Sequence, residues 1–148
     1  IKNTLVITHQ RVNSSNFENI DKSRVFNVIA PFLEEICNET FERWRFRFFY
    51  APKIRIIGNS AFYECRNLYQ IVGNNIEVIA DNAFDACFSF NKINCWNVKF
   101  FGHSALESCA LRHIRNNECL QLNNVFDEND QLEIIEFNKI DSFDCDQI

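Results

Sequence analysis

The sequence predicts an α/β repeat solenoid, with a parallel sheet on one face and short helices or turns on the other. Three observations carry this. First, IIGNSAFYECRNL at residues 56–68 returns twenty-two residues later as VIADNAFDACFSF, and after twenty-two more as FFGHSALESCAL. Second, each copy sets an apolar residue (Ile57, Ile79, Phe101) four places before a small-large pair: Ala61-Phe62, Ala83-Phe84, Ala105-Leu106. Third, a cysteine stands three residues after each pair, at Cys65, Cys87 and Cys109. A fixed period of this length is the signature of stacked repeats that bury a core only against one another.

The elements follow in chain order. Val12, Phe17 and Ile20 keep the spacing in a degenerate form, so residues 1–24 read as an N-terminal degenerate coil or cap. Residues 25–148 read as an array of about five coils, the last one shortened. In the first of these, Leu33, Ile36 and Thr40-Phe41 match Ile54, Ile57 and Ala61-Phe62, with Trp44 in the cysteine slot and Pro31 aligned with Pro52. Val125-Phe126 is a weaker return with Asn129 in that slot, and Phe137, Ile140 and Phe143 form the short last coil.

Within a coil, Ala61, Phe62, Cys65 and Leu68 fall at the i, i+1, i+4, i+7 spacing of one helical face. Asn59, Asp81 and Ser104 precede these segments and are N-cap types, and Ser104 with Glu107 fits a capping box. A helix of about two turns is therefore expected in each coil. The segment NLYQIVG reads as a short strand with Ile71 inward and Gln70 and Val72 outward, and NIEVIA as a second extended segment or turn. Stacking then sets Ile71 over Ile93 over Ile114 at the ~4.8 Å spacing of neighbouring strands.

Composition limits the function classes. The chain has 148 residues, 47% of them apolar, with sixteen Phe and a net charge of −5. A general nucleic-acid binder shows a basic stripe; here only Arg43, Arg45, Arg47, Lys53 and Arg55 cluster, among aromatics, as a candidate anion patch. No apolar run approaches the ~20 residues of a membrane span, and no targeting segment is visible. With no Met and an initial Ile1, the sequence reads as a piece of a longer chain. The seven cysteines form no zinc-type spacing. Three of them recur at the period, so they read as buried free thiols behaving as small apolar groups.

The pattern I-x-x-I-G-x-x-A-F-x-x-C-x-x-L-x-x-I at residues 54–71 resembles the BspA-like (Treponema-type) leucine-rich repeat. In the next coil Ala80 replaces the glycine, and Phe101-Gly102, Ala105-Leu106 and Cys109 carry the pattern in the third. The resemblance implies a right-handed leucine-rich-repeat coil and a non-enzymatic protein-binding module, often a surface adhesion or recognition protein of a protist or bacterium. The alternative is a structural or regulatory repeat segment of a larger intracellular protein.

Chemistry-bearing residues are few. Cys109 and His113, four apart, have the spacing of a thiol and its base, but the cysteine occupies the buried slot. Residues 127–133 (DENDQLE) lack the glycine and terminal glutamate of a calcium loop. Asn13 and Asn38 begin N-x-S/T sequons. No catalytic, cofactor or metal residue is assigned. The expected partner is a protein bound by a monomer through the outward residues of the sheet: Phe48/Tyr50, Gln70/Val72, Lys92/Asn94, His113/Arg115 and Ile134/Glu136.

Overall fold

A computed structural model of the chain describes residues 3–140. It is a parallel-strand solenoid of about six turns, in which most coils contribute one strand to a front sheet and one to a back sheet. The front sheet holds β1 (Thr4–Val6), β3 (Asn27–Ile29), β5 (Phe48–Tyr50) and β7 (Gln70–Val72), and resumes with β10 (His113–Asn116) beside β11 (Ile134–Phe137). The back sheet runs β2 (Arg11–Val12), β4 (Glu35–Ile36), β6 (Ile56–Ile57), β8 (Val78–Ile79) and β9 (Phe100–Phe101). Every pairing is parallel, and Val28, Phe49 and Ile71 stand in register.

The strand readings hold. Ile71 is buried between outward Gln70 and Val72, and the Val78–Ile79 segment is the second strand of its coil. Phe143, the last residue assigned to the short final coil, lies outside the described residues, as does the seventh cysteine, Cys145.

The helix reading fails, and the α/β assignment with it. Over residues 58–68 the backbone alternates in hand: Ser60 and Glu64 have φ of 52° and 54°. The N–H groups of Ser60, Phe62 and Glu64 cross to the carbonyls of Asp81, Ala83 and Asp85 in the next coil. Those of Ala61, Tyr63 and Cys65 turn back to Gly58, Ser60 and Phe62. The same pattern recurs at Asn82 and Ala86, and again at Ser104 and Ser108. The segment is thus a third inter-coil ladder. An α-helix with side chains is ~10 Å across, whereas coils tied by two parallel sheets stack at ~4.8 Å. Placing L-residues in left-handed φ costs roughly 1–2 kcal/mol each, which the crossing hydrogen bonds offset.

The expected caps are reassigned for the same reason. Asp81 Oδ1 accepts the N–H of His103 in the following coil at 2.9 Å, while Asn59 is itself capped, its N–H donating to Asn38 Oδ1 of the preceding coil at 2.9 Å. Each cap folds over a glycine: a Cβ on Gly58 would stand 2.7 Å from Asn38 Oδ1, and one on Gly102 2.3 Å from the Asp81 backbone nitrogen. Ser104, expected to cap its own helix in a box with Glu107, has φ 53° and sends its N–H across to Asn124.

The core is the set of apolar positions that the period marks. Phe17, Phe41, Phe62 and Phe84 form a column with ring centroids 5.0–5.6 Å apart, and Phe62 and Phe84 lie within 5° of parallel. The cysteine slots are buried and free of disulfides. They are also hydrogen-bonding positions: Cys65, Cys87 and Cys109 donate S–H to the carbonyls of Phe41, Phe62 and Phe84, the anchors one coil back. Asn129 does the same with its amide, 2.7 Å from the Leu106 carbonyl. Trp44 instead sets its ring edge-on against Phe41 and Phe17.

Outside the back sheet, Glu77 accepts from Arg55 of the preceding coil and Lys99 of the following one, both at 2.8 Å. The Arg55 and Lys99 hydrogen bonds hold its carboxyl at about 2, below the ordinary 4.5. A carboxylate depressed on folding stabilises above its unfolded pKa, and that contribution fades as pH falls toward the folded value. Thermal midpoints of Glu77→Gln are therefore expected to fall less steeply than wild type between pH 4.5 and about pH 2. Parallel curves would show that this ladder contributes nothing.

Candidate functional site: the front sheet face

The outward residues of the front sheet form two rows, because side chains alternate across a strand. The register places Val6, Ile29, Tyr50 and Val72 in one of them, across four neighbouring strands. All four are solvent-exposed and apolar or aromatic, at 60%, 36%, 45% and 37%. Phe48 and Tyr69 extend the strip beside them with ring centroids 6.0 Å apart. Monomeric soluble proteins rarely leave contiguous apolar strips uncovered unless these meet something.

All ten expected face residues lie on this side, with half-buried Gln70 the least exposed. Tyr50 and Val72 belong to the apolar row and Phe48 stands beside it in the row of Gln70, while Lys92 and Asn94 lie on the fifth coil. His113 pairs with Ile134 and Arg115 with Glu136 across β10 and β11, and the Arg115 guanidinium sits 2.6 Å from the Glu136 carboxylate. Val6 and Ile29 were not anticipated. Counting thirteen residues back from Phe41, as Ile71 lies thirteen before Phe84, places Val28 inward and Ile29 outward. That count was available in the sequence.

The face is not one unbroken sheet. Ile93 was expected to stack between Ile71 and Ile114 as a strand residue; it is half-buried, and residues 93–95 form no strand. Coil five meets β7 through a single bridge, Gln70 to Lys92. Among the described residues no strand pairing joins it to β10. Bonds from Ala110 to Phe90 and from Asn117 to Trp96, both 3.0 Å, close the stack on either side of the opening. Asn116 anchors this turn from within, donating to the carbonyls of Cys95 and Val98 at 2.8 and 2.7 Å.

Other sequence candidates are not brought together. The Cys109 thiol is buried, pushed up in pKa by that burial, and points at the Phe84 carbonyl. His113 stands exposed on β10 with its Nε2 3.5 Å from Glu133. A buried thiol with a raised pKa is a poor nucleophile. Burial likewise pushes Cys65 and Cys95 up to about 12. The basic run is dispersed: Arg43 pairs with Glu64, Lys53 lies over Phe32 and Arg55 pairs with Glu77. Among the described residues, no three His, Cys, Asp or Glu side chains converge as a metal site. Nor is any helix there long and apolar enough to cross a membrane.

The Asn13 side chain accepts from the backbone and hydroxyl of Ser15, at 3.0 and 2.6 Å. The Thr40 hydroxyl of the second sequon is buried on the Cys37 carbonyl.

A family model described as a BspA type leucine rich repeat region matches residues 55–144, more than half of the chain, in six copies. No curated protein and no solved structure matches the chain.

Proposed function

The chain belongs to the BspA-type leucine-rich repeat family, and from that premise we propose that its front sheet is a protein-recognition face. Repeats of this kind are interaction modules, and solenoids recognise partners through extended surfaces built from equivalent positions of successive coils. The observation that carries the reading is the row of Val6, Ile29, Tyr50 and Val72, exposed in register across four strands. The chain acts in this reading as a non-enzymatic monomer that engages a protein partner, in surface adhesion or recognition. The polar half of the face, with Lys92, Asn94, His113 and Arg115, supplies register and selectivity rather than bulk affinity.

The back sheet is the competing surface, since it exposes Ile56 and Phe100. Two multiple variants separate the faces: Ile29→Ser with Tyr50→Ser and Val72→Ser on the front, Ile56→Ser with Phe100→Ser on the back. Partner capture by the immobilised chain is expected to fall at least tenfold for the front variant. It should stay within twofold for the back variant, with thermal unfolding cooperative in both. Loss confined to the back variant, or no loss in either, would overturn the assignment.

A further inference from the structure

We propose that the opening between β7 and β10 is a binding trench for an extended acidic peptide. The inference rests on the reading of the front sheet as a recognition face and names the chemistry of what its C-terminal half takes.

The backbone supplies the first argument. Where coil five leaves the sheet, no hydrogen bond from the N–H groups of Ile93, Asn94 or Cys95 reaches either neighbouring strand. An extended chain recognised by a sheet is held through such main-chain groups.

Shape is the second. Two adjoining clefts of about 500 and 510 Å³ share Ile93, Asn94 and His113. Together they run beside residues 91–96, which at ~3.3 Å per residue is the length of a five- or six-residue strand, roughly 20 Å.

Charge is the third. The lining includes Lys92, Arg112, His113 and Arg115 and no carboxylate, in a chain whose net charge is −5. Glu133 and Glu136 hold Arg112 and Arg115 without lining the clefts. The Lys92 ammonium lies 5.8 Å over the Tyr69 ring and is in no ion pair among the described residues. With Arg112 and Arg115 each offset by a glutamate, Lys92 leaves the trench net positive, which attracts a carboxylate-bearing segment.

The last argument is an anchor. Trp96 is 44% exposed beside Ile134, and its backbone N–H is fixed by Asn94 Oδ1 at 3.0 Å. A half-exposed indole on a backbone pinned at the trench end suits one apolar side chain of the bound segment, the kind of aromatic contact that dominates interface energetics. A sulfated oligosaccharide matches the charge but lacks the main-chain carbonyls that would accept from the N–H groups of residues 93–95.

Fluorescein-labelled synthetic hexapeptides test the proposal by anisotropy on the full chain. The set is Glu and Asp alternating with Leu and Val, its Gln/Asn counterpart, and a sulfated oligosaccharide of similar length. The acidic peptide is expected to bind at least tenfold tighter than the amide peptide, with an affinity that falls as salt screens the charges. Lys92→Glu with Arg115→Glu should abolish the preference, and Trp96→Ala should weaken binding several-fold. Phe100→Ser on the back sheet should leave peptide binding within twofold. All these residues are exposed, so each variant is expected to unfold near the wild-type temperature.

Equal binding of acidic and amide peptides would overturn the trench. So would binding of the oligosaccharide alone, or a loss caused by Phe100→Ser and not by Lys92→Glu with Arg115→Glu. In those cases partner capture that still depends on Ile29, Tyr50 and Val72 leaves the recognition face standing. Capture indifferent to both sets removes both readings.

Discussion

Asn116→Leu is expected to destabilise the solenoid by about 3–5 kcal/mol, since each unmet buried polar group costs about 1–3 kcal/mol. The side chain is 1% exposed at the end of β10. Its amide donates to the carbonyls of Cys95 and Val98, and its carbonyl oxygen accepts from the N–H groups of Glu118 and Cys119 at 3.0 and 2.7 Å. An Asn side chain offers two donors and one oxygen with two lone pairs, so its whole capacity is used. Leucine matches the volume and abandons the Val98 carbonyl and the N–H groups of Glu118 and Cys119, while the Cys95 carbonyl keeps its bond from the Val98 N–H. These groups tie coil five to coil six just where the front ladder is open, so no neighbouring strand bond takes the load. Urea unfolding should show a lower midpoint, and hydrogen exchange should speed up at Val98 and Cys119. Asn117→Ala, a few ångströms away on a less buried amide, is expected to cost under about 1 kcal/mol. A loss below ~1 kcal/mol for Asn116→Leu would mean that these groups find other partners.

Cys87→Asp is expected to cost a similar amount, about 3–5 kcal/mol, the usual penalty of an uncompensated buried charge. Cys87 is fully buried between the Cys65 and Cys109 coils, and its S–H points at the Phe62 carbonyl, 3.0 Å away. A carboxylate there would meet a carbonyl oxygen and would have no cation to pair with. Burial raises the pKa of such a carboxyl above its unfolded value of ~3.9. The unfolded chain then releases a proton that the folded one keeps, so the penalty grows as pH rises above about 4. That sign is opposite to the Glu77 effect, and urea midpoints at about pH 4 and pH 7 would expose it. Cys87→Ser keeps a donor toward Phe62 and is expected to cost only about 1–2 kcal/mol. An aspartate variant as stable as the parent would place residue 87 at the surface and break the assigned register.

Both variants bear on what the cysteine slot is for. Sequence reading made Cys65, Cys87 and Cys109 small apolar fillers, and their burial agrees. The replacement at Asn129 is informative, because its amide makes the bond to the previous coil's anchor carbonyl that the thiols make at the other positions. Where an amide stands in for a thiol, the shared property is donation of a hydrogen bond. A list of cysteines does not reveal that; the carbonyl they point to does.

Spacing along the chain set the period, and with it the stack, most of the inward residues and the outward sides of β5, β7, β10 and β11. Those are properties of spacing: a residue such as Phe62 that returns twenty-two positions later as Phe84 packs directly on its own copy, although the local backbone is not the expected helix. Tertiary structure decided three things that spacing leaves open. Ala61, Phe62, Cys65 and Leu68 are all buried as a helical face would have them, yet they lie on a turn ladder of alternating hand, because the carbonyls of the next coil outcompete those of the same segment. Val6 became surface only once β1 was paired in register with β3, since the count that places Ile29 outward does not carry over to the first coil. The opening at residues 93–95 carries no sequence signal, since Lys92, Ile93 and Asn94 have the same inward-outward pattern as Gln70, Ile71 and Val72. Hydrogen bonds between coils are made by backbone that every residue shares, so side-chain periodicity sets which residues face the core and only the packed neighbours set which backbone groups pair.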